Sequence, residues 1–216
     1  MQVDIWADIV CPWCYIGEAR FSTALARFAT SGAVTITHHA FELDPRPHDG
    51  TVPVRDMLAR KYRMSSEQAD AAEDRVRDAA LGEGLDYRVD RSVGNTLYAH
   101  RLVKLAERDG SAEAMVRRLF RANFAEARSV FDIEALAELG AEVGLEPDVV
   151  RETLAGEDFI AEVREDEDEA GELGISGVPF FVIDRRYGIS GAQPVETLAS
   201  VLDTVWAERL EGAPEA

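Results

Sequence analysis

DIVCPWCYIG, residues 8–17, sets two cysteines two residues apart immediately after a short alternating run, VDIWAD at residues 3–8. Alternation of apolar and polar side chains is the period of a half-buried strand. Beyond Cys14 the period changes. Phe21, Ala24, Leu25 and Phe28 recur at i, i+3, i+4 and i+7, one face of a helix running from about residue 13 to residue 30, with Gly32 to end it. The cysteines therefore stand at the junction of a strand and a helix, where unpaired backbone N–H groups and the helix dipole favour an anion.

Working outward, residues 33–43 (AVTITHHAFEL) are rich in β-branched side chains and predict a second strand, parallel to the first after the helical crossover. Pro45, Pro47, His48, Asp49 and Gly50 mark an exit loop. From residue 54 to residue 155 no convincing strand is visible. Helices are predicted over 54–62, 66–82, 96–108, 111–127 and 132–143, and a short one opens at Pro147 and closes at Gly156. An acidic helix over 157–173 leads to GISGVPFFVIDRRYGISGAQP at 174–194, where FFVID and YGIS read as a hairpin, and Pro194 starts a last helix. Removing the helical run leaves β-α-β followed by α-β-β-α. That order predicts an α/β chain with a thioredoxin fold: residues 1–50 and 157–216 form one domain, and 51–156 an all-helical insertion.

Composition excludes several function classes. The 216 residues carry a formal charge of −18, whereas nucleic-acid binders need clustered Lys and Arg, so no nucleic-acid partner is expected. MQVDIWADIV has no basic region and is interrupted by Asp4 and Asp8, unlike a signal peptide or a membrane span, so a cytoplasmic protein without membrane contact is expected. Oligomeric state is not readable from the sequence. With only two cysteines in such a setting, a catalytic or reversible pair is the better reading than a structural disulfide. A zinc site needs four ligands, and His38, His39, His48 and His100 lack paired spacing, so no metal is expected.

The chemistry follows from position. A thiol at a helix start has its pKa lowered from about 8.5 to roughly 3.5–7.5, and the thiolate is the nucleophile. Cys11, at the turn, is the expected attacking thiol, and Cys14, one turn inside the helix, the resolving one. Pro12 occupies the first turn, where a missing N–H costs nothing. Pro12 and Trp13, between the cysteines, are placed to meet substrate. Val178-Pro179, in the loop before FFVID, is the second half of the site: a thioredoxin fold sets a cis-proline there, and the Val178 backbone is free to pair with an extended substrate segment.

Around this pair the sequence offers secondary candidates. Asn95 suits either a helix cap or a substrate contact; His100 suits the core, substrate binding or proton transfer near neutrality; Arg101 lies beside it. Asp8, Glu42 and His39, on or near the first two strands, are proton-transfer candidates for Cys14, with Asp8 nearest in sequence. The acidic run Glu165 to Glu169 reads mainly as a solvated helix surface, and as a negative potential that would oppose the Cys11 thiolate.

DIVCPWCYIG, FELDP at 41–45, NTLYAHRL at 95–102, LF at 119–120 with the following FAEA, and GISGVPFFVIDRRYGISGAQP together closely resemble the FrnE-like branch of the DsbA-family oxidoreductases over nearly the whole chain. The resemblance implies a helical insertion covering the active site and disulfide oxidase, reductase or isomerase activity on protein or small-molecule disulfides. No tightly bound cofactor is implied; glutathione as co-substrate remains open. The wider kinship includes kappa-class glutathione transferases and 2-hydroxychromene-2-carboxylate isomerases, which carry Ser where this chain has Cys11. GAQP at 191–194 lacks an acidic residue to grip glutathione's amino group. A glutathione-dependent isomerase or transferase of aromatic substrates, and a thiol-switched chaperone or binding module, are the alternatives.

Overall fold

The computed structural model describes residues 1–46 and 50–211, so the turn signals at Pro47, His48 and Asp49 lie outside the described residues. β1 (Gln2–Ala7) precedes the cysteines, α1 (Pro12–Arg27) follows them, and β2 (Thr35–Ala40) returns after a 3₁₀ turn at Ser31–Ala33. β2 runs parallel to β1, with Ala7 opposite Ala40, as a crossover through a helix allows. Phe21 and Ala24 of α1 are buried, and the Phe21 ring stacks on Phe181 with centroids 5.3 Å apart.

The segment that follows is helical: α2 (Val54–Tyr62), α3 (Ser66–Gly82), α4 (Leu97–Arg108), α5 (Ala112–Phe120), α6 (Ile133–Ala141) and α7 (Pro147–Ala155). Local chemistry fixes several ends. Ser65 and Gln68 form a reciprocal capping box on α3, Asp132 accepts from the Ala135 N–H to cap α6, and Pro147 opens α7.

Two features depart from expectation. β3 (Val52–Pro53) and β4 (Ser92–Val93) pair antiparallel inside the insertion expected to be all-helical; two residues each are too few to show alternation. The single helix expected over 111–127 ends at Phe120 and continues as a wider π-helical turn, Arg121–Ala125. That turn brings Phe124 flat against Tyr15 (5.1 Å) and Tyr87 (5.6 Å).

α8 (Ile160–Glu172) leads back to β5 (Phe180–Ile183) and β6 (Tyr187–Ser190), and α9 (Val195–Glu211) closes the chain. The sheet order is β2-β1-β5-β6, with β5 antiparallel to β1 and β6 antiparallel to β5. Val3, Ile5, Phe181, Ile183, Leu198 and Leu202 form a core between sheet, α1 and α9. A second, larger core starts at Ala7 and Ile9, includes Cys11, Cys14, Tyr15 and Ile16, and runs through the helical segment to Leu154. Among the described residues no helix is long and apolar enough to cross a membrane.

Candidate active site

Cys11 is the N-cap residue of α1, with extended backbone (φ −81°, ψ 114°), and Pro12 follows at the first helical position. Turn hydrogen bonds from the Cys11 N–H to the Asp8 carbonyl and from the Cys14 N–H to the Cys11 carbonyl, both 3.0 Å, hold the motif. Both thiols are free and buried, with 5% of Cys11 and 1% of Cys14 exposed. Trp13 between them is 43% exposed. The Val178-Pro179 bond is cis, and the Val178 carbonyl accepts from Cys11 Sγ at 3.6 Å. The motif and the proline loop, 167 residues apart in sequence, thus meet at one sulfur.

The two sulfurs differ in acidity. The Cys14 thiol, donating to Cys11 Sγ, is the main influence holding the Cys11 thiol below its ordinary pKa. Burial works against it, the Cys14 and Trp13 amides help, and the Asp8 charge opposes. Burial pushes the Cys14 thiol well up, followed by its hydrogen bond to Cys11 and the charges of Cys11 and Asp8. Cys11 is therefore the more acidic of the two thiols and Cys14 the one that holds its proton.

A cleft of about 1030 Å³ opens at Cys11. Asp8, Pro12, Trp13 and Leu43 line its sheet side; Met57, Leu58, Tyr62 and Val76 of α2 and α3 line the other. At its back Arg91, 3% exposed, is bonded to Glu73 and to the Tyr87 hydroxyl (2.7 Å) and lies over the Phe124 ring. All of these bonds are made by Nη2, and Nε and Nη1 are buried with no hydrogen-bond partner among the described residues.

The remaining candidates fall into different places. Asp8 is 1% exposed; it accepts from the Leu43 N–H (2.8 Å) and stands 3.5 Å from His100 Nε2. It adjoins both thiols and is the one proton-transfer candidate that lines the cleft. Glu42 is instead held by Asn95 Nδ2 (2.8 Å) and Arg164, tying the end of β2 to α8. Asn95 also accepts from the Leu97 N–H (2.9 Å), so it holds the first helical amide of α4 from one residue before the Thr96 cap, and it does not line the cleft. His39 stacks on Trp6 (4.3 Å) and bonds Asp166 (2.8 Å) and Asp4 (3.2 Å), away from the dithiol. His100 is buried under Asp8 and outside the cleft, which removes it from direct substrate contact. Arg101 donates to the Thr153, Leu154, Gly156 and Asp158 carbonyls, closing the C-terminal end of α7.

The acidic run is a solvated face with one exception, since Glu165 and Asp168 are exposed, Glu167 and Glu169 half-buried, and only Asp166 is buried. Asp166 is buried against His39, Lys104 and the Ala40 N–H; Glu167 pairs with Arg164, and Glu169 with Arg185. The carboxylate that opposes the Cys11 thiolate is Asp8, not one of this run. One contact carries no sequence signal beyond a polar residue in an apolar stretch: Asn123, 1% exposed, donates to the Ile9 carbonyl at 3.3 Å and so binds the π-helical turn to the loop that carries Cys11.

Comparison with known proteins gives this geometry a family. A family profile, the DSBA-like thioredoxin domain, matches residues 2–203. The chain is 50% identical to a protein of Streptomyces coelicolor named "probable DsbA oxidoreductase", whose crystal structure superposes with a TM-score of 0.94 over 100% of this chain and 93% of that one. "Uncharacterized protein YwbO" of Bacillus subtilis is 26% identical over 184 residues, 85% of this chain and 86% of that protein. The cytosolic disulfide reductase DsbM of Pseudomonas aeruginosa, solved with GSH, shares the fold at a TM-score of 0.68 and 22% identity, over 96% of this chain and 100% of that one. With a mixed four-stranded sheet, a helical segment between β2 and β5, and a profile match over almost its whole length, the chain belongs to the DsbA-like thioredoxin-domain family.

Proposed function

We propose that this protein exchanges disulfides through Cys11 and Cys14, as an oxidoreductase or isomerase in a reducing, cytosolic setting. The observation that carries the reading is the opposed acidity of two free thiols, one at the mouth of a large cleft and the other sealed behind it. The Cys11 thiolate attacks one sulfur of a substrate disulfide. That bond breaks, a mixed disulfide forms on Cys11, and the first substrate thiolate leaves. Cys14 then gives up its proton and attacks Cys11 Sγ, which closes the Cys11–Cys14 disulfide and expels the second substrate thiolate. Two electrons pass from the dithiol to the substrate; run backwards, the same steps oxidise a substrate dithiol. Val178, whose carbonyl faces Cys11, presents backbone to an extended chain.

Reduction of insulin and reshuffling of scrambled ribonuclease test the proposal. Cys11→Ser is expected to abolish both activities, and Cys14→Ala to accumulate a mixed disulfide that mass spectrometry detects. Full activity in Cys11→Ser would refute it.

A specific observation favours a small acidic thiol, glutathione, as co-substrate: three cationic side chains, Arg60, Lys61 and Arg75, line the cleft wall, with Asp44 near Lys61. The GSH-bound state of DsbM, a protein of the same fold, accords with this reading. Calorimetric titration of glutathione into native protein and into Lys61→Ala checks it, with weaker binding expected in the variant.

A further inference from the structure

Closing the Cys11–Cys14 disulfide requires the Cys14 proton to leave a site that is 1% exposed. While the mixed disulfide stands, the substrate fills the cleft mouth beside Cys11 and water is excluded there. Asp8 adjoins Cys14 and is itself 1% exposed. Behind Asp8, away from the cleft, lies a second and much smaller cavity of about 10 Å³, lined by His100 and Lys104 of α4, His38 and His39 of β2, and apolar groups that include Ile9 and Val116.

Two of these side chains are singular. Nε2 of His100 and Nε2 of His38 are buried and have no hydrogen-bond partner among the described residues. Each nevertheless stands 3.5 Å from a carboxylate oxygen: His100 from Asp8, and His38 from Glu18 of α1. With Nε2 of each ring turned to its carboxylate, Nδ1 is the nitrogen left for the cavity. The other two polar groups of the cavity are committed elsewhere, since His39 bonds Asp166 and Asp4 and Lys104 bonds Asp166. A volume of about 10 Å³ is at the lower bound for one water molecule, which needs two or more polar partners. Burial works against the Glu18 carboxylate at the far end, but His38 and, less strongly, Arg117 on the exposed face of α5 hold its carboxyl below the ordinary value.

We propose that Asp8, His100, His38 and Glu18 form a buried proton path, joined by one water in the small cavity, that carries the Cys14 proton away from the dithiol when the mixed disulfide resolves. A neutral imidazole accepts on one nitrogen and donates from the other, so each ring passes one proton through without net change. The bookkeeping is that of the second exchange step: the Cys14 S–H bond breaks, the Cys11–Cys14 bond forms, the Cys11–substrate bond breaks, the electron pair leaves with the substrate thiolate, and the proton passes to Asp8 and onward to Glu18. His100 and His38 touch neither sulfur in this scheme and act only on the proton.

The inference rests on the dithiol reading, and the test separates the two. Reduced protein is mixed in a stopped-flow instrument with dithiobis(nitrobenzoate), which releases one coloured thiolate when Cys11 attacks and a second, in a phase independent of reagent concentration, when Cys14 resolves. Absence of both phases would overturn the dithiol reading itself. With both present, native protein should lose the second phase on acidification, with a single inflection in its pH profile. His38→Gln and Glu18→Gln should slow the second phase about tenfold, leave the first within a factor of two, and lose that inflection. Native second-phase rates in both variants would overturn the path. A slower phase that keeps the native inflection overturns it as well, because that is the behaviour of a packing defect. If His38→Gln loses its native circular dichroism, Glu18→Gln carries the test alone, by the same two readouts.

Discussion

Cγ of Pro179 lies 2.8 Å from the place that a Cβ on Gly17 would occupy. Helix α1 and the proline loop are packed as closely as the absence of a side chain permits, and this contact fixes the distance between the cysteines and Val178. Gly17→Ala gains helix propensity of about 1 kcal/mol but forces the pyrrolidine ring away, and overpacking of this kind costs roughly 1–3 kcal/mol. The expected result is a small net loss of stability, up to about 2 kcal/mol in urea denaturation, with a larger loss of insulin reduction.

Asp8 is expected to restrain the reactivity of Cys11. Its charge raises the thiol pKa, against the larger lowering by the Cys14 thiol. Asp8→Asn should therefore shift the thiolate absorbance titration of Cys11 to lower pH and speed the first exchange step in mildly acid buffer. A titration that moves to higher pH would contradict this account.

Asn123→Ala removes the donor to the buried Ile9 carbonyl. An orphaned buried acceptor costs about 1–3 kcal/mol. Hydrogen exchange measured by mass spectrometry should show faster exchange in peptides covering residues 9–16, while peptides from β5 and α9 keep native rates.

Stability should depend on pH through His39 and Asp166. Burial pulls His39 down, but the bonds to Asp166 and Asp4 outweigh it and its pKa is raised. Its contribution is then complete below the unfolded value of about 6.5 and is lost as pH rises through the folded value. Burial opposes Asp166 too, yet His39, Lys104 and the Ala40 amide lower it, so its contribution is present above about 3.9 and is lost as pH falls through its folded value. The urea midpoint should decline on the alkaline side, and His39→Gln should remove that decline. Asp166→Ala, which strands Lys104 and His39, should cost about 3–5 kcal/mol.

Where the chemistry is local, the sequence reveals it: the strand-to-helix junction at Cys11, the proline at 179, the parallel return of β2 and the hairpin all follow from short-range pattern. What escapes depends on long-range pairing. Asp166 reads as one of five acids on a helix surface, but its partners His39 and Lys104 lie 127 residues away on β2 and 62 residues away on α4. Adjacent histidines on a strand must face opposite sides, yet nothing local tells which of His38 and His39 turns to α1 and which to α8. Asn123 sits in a stretch whose helical period continues through Phe120 and Phe124, so the π-helical turn that aims it at Ile9 leaves no mark in the pattern.

The larger core, which begins at Ala7 and ends at Leu154, has a consequence for how the protein can be taken apart. Cys11 and Cys14 are packed with helices that arise between β2 and β5, whereas the sheet is packed on its own separate residues. The helical segment is not a transplantable cover. Deleted, it would strip the apolar cover from Cys11, Cys14, Tyr15 and Ile16, while the charge and hydrogen bonds that act on the thiols, from Asp8, Trp13 and the cysteines themselves, stay with residues 8–14.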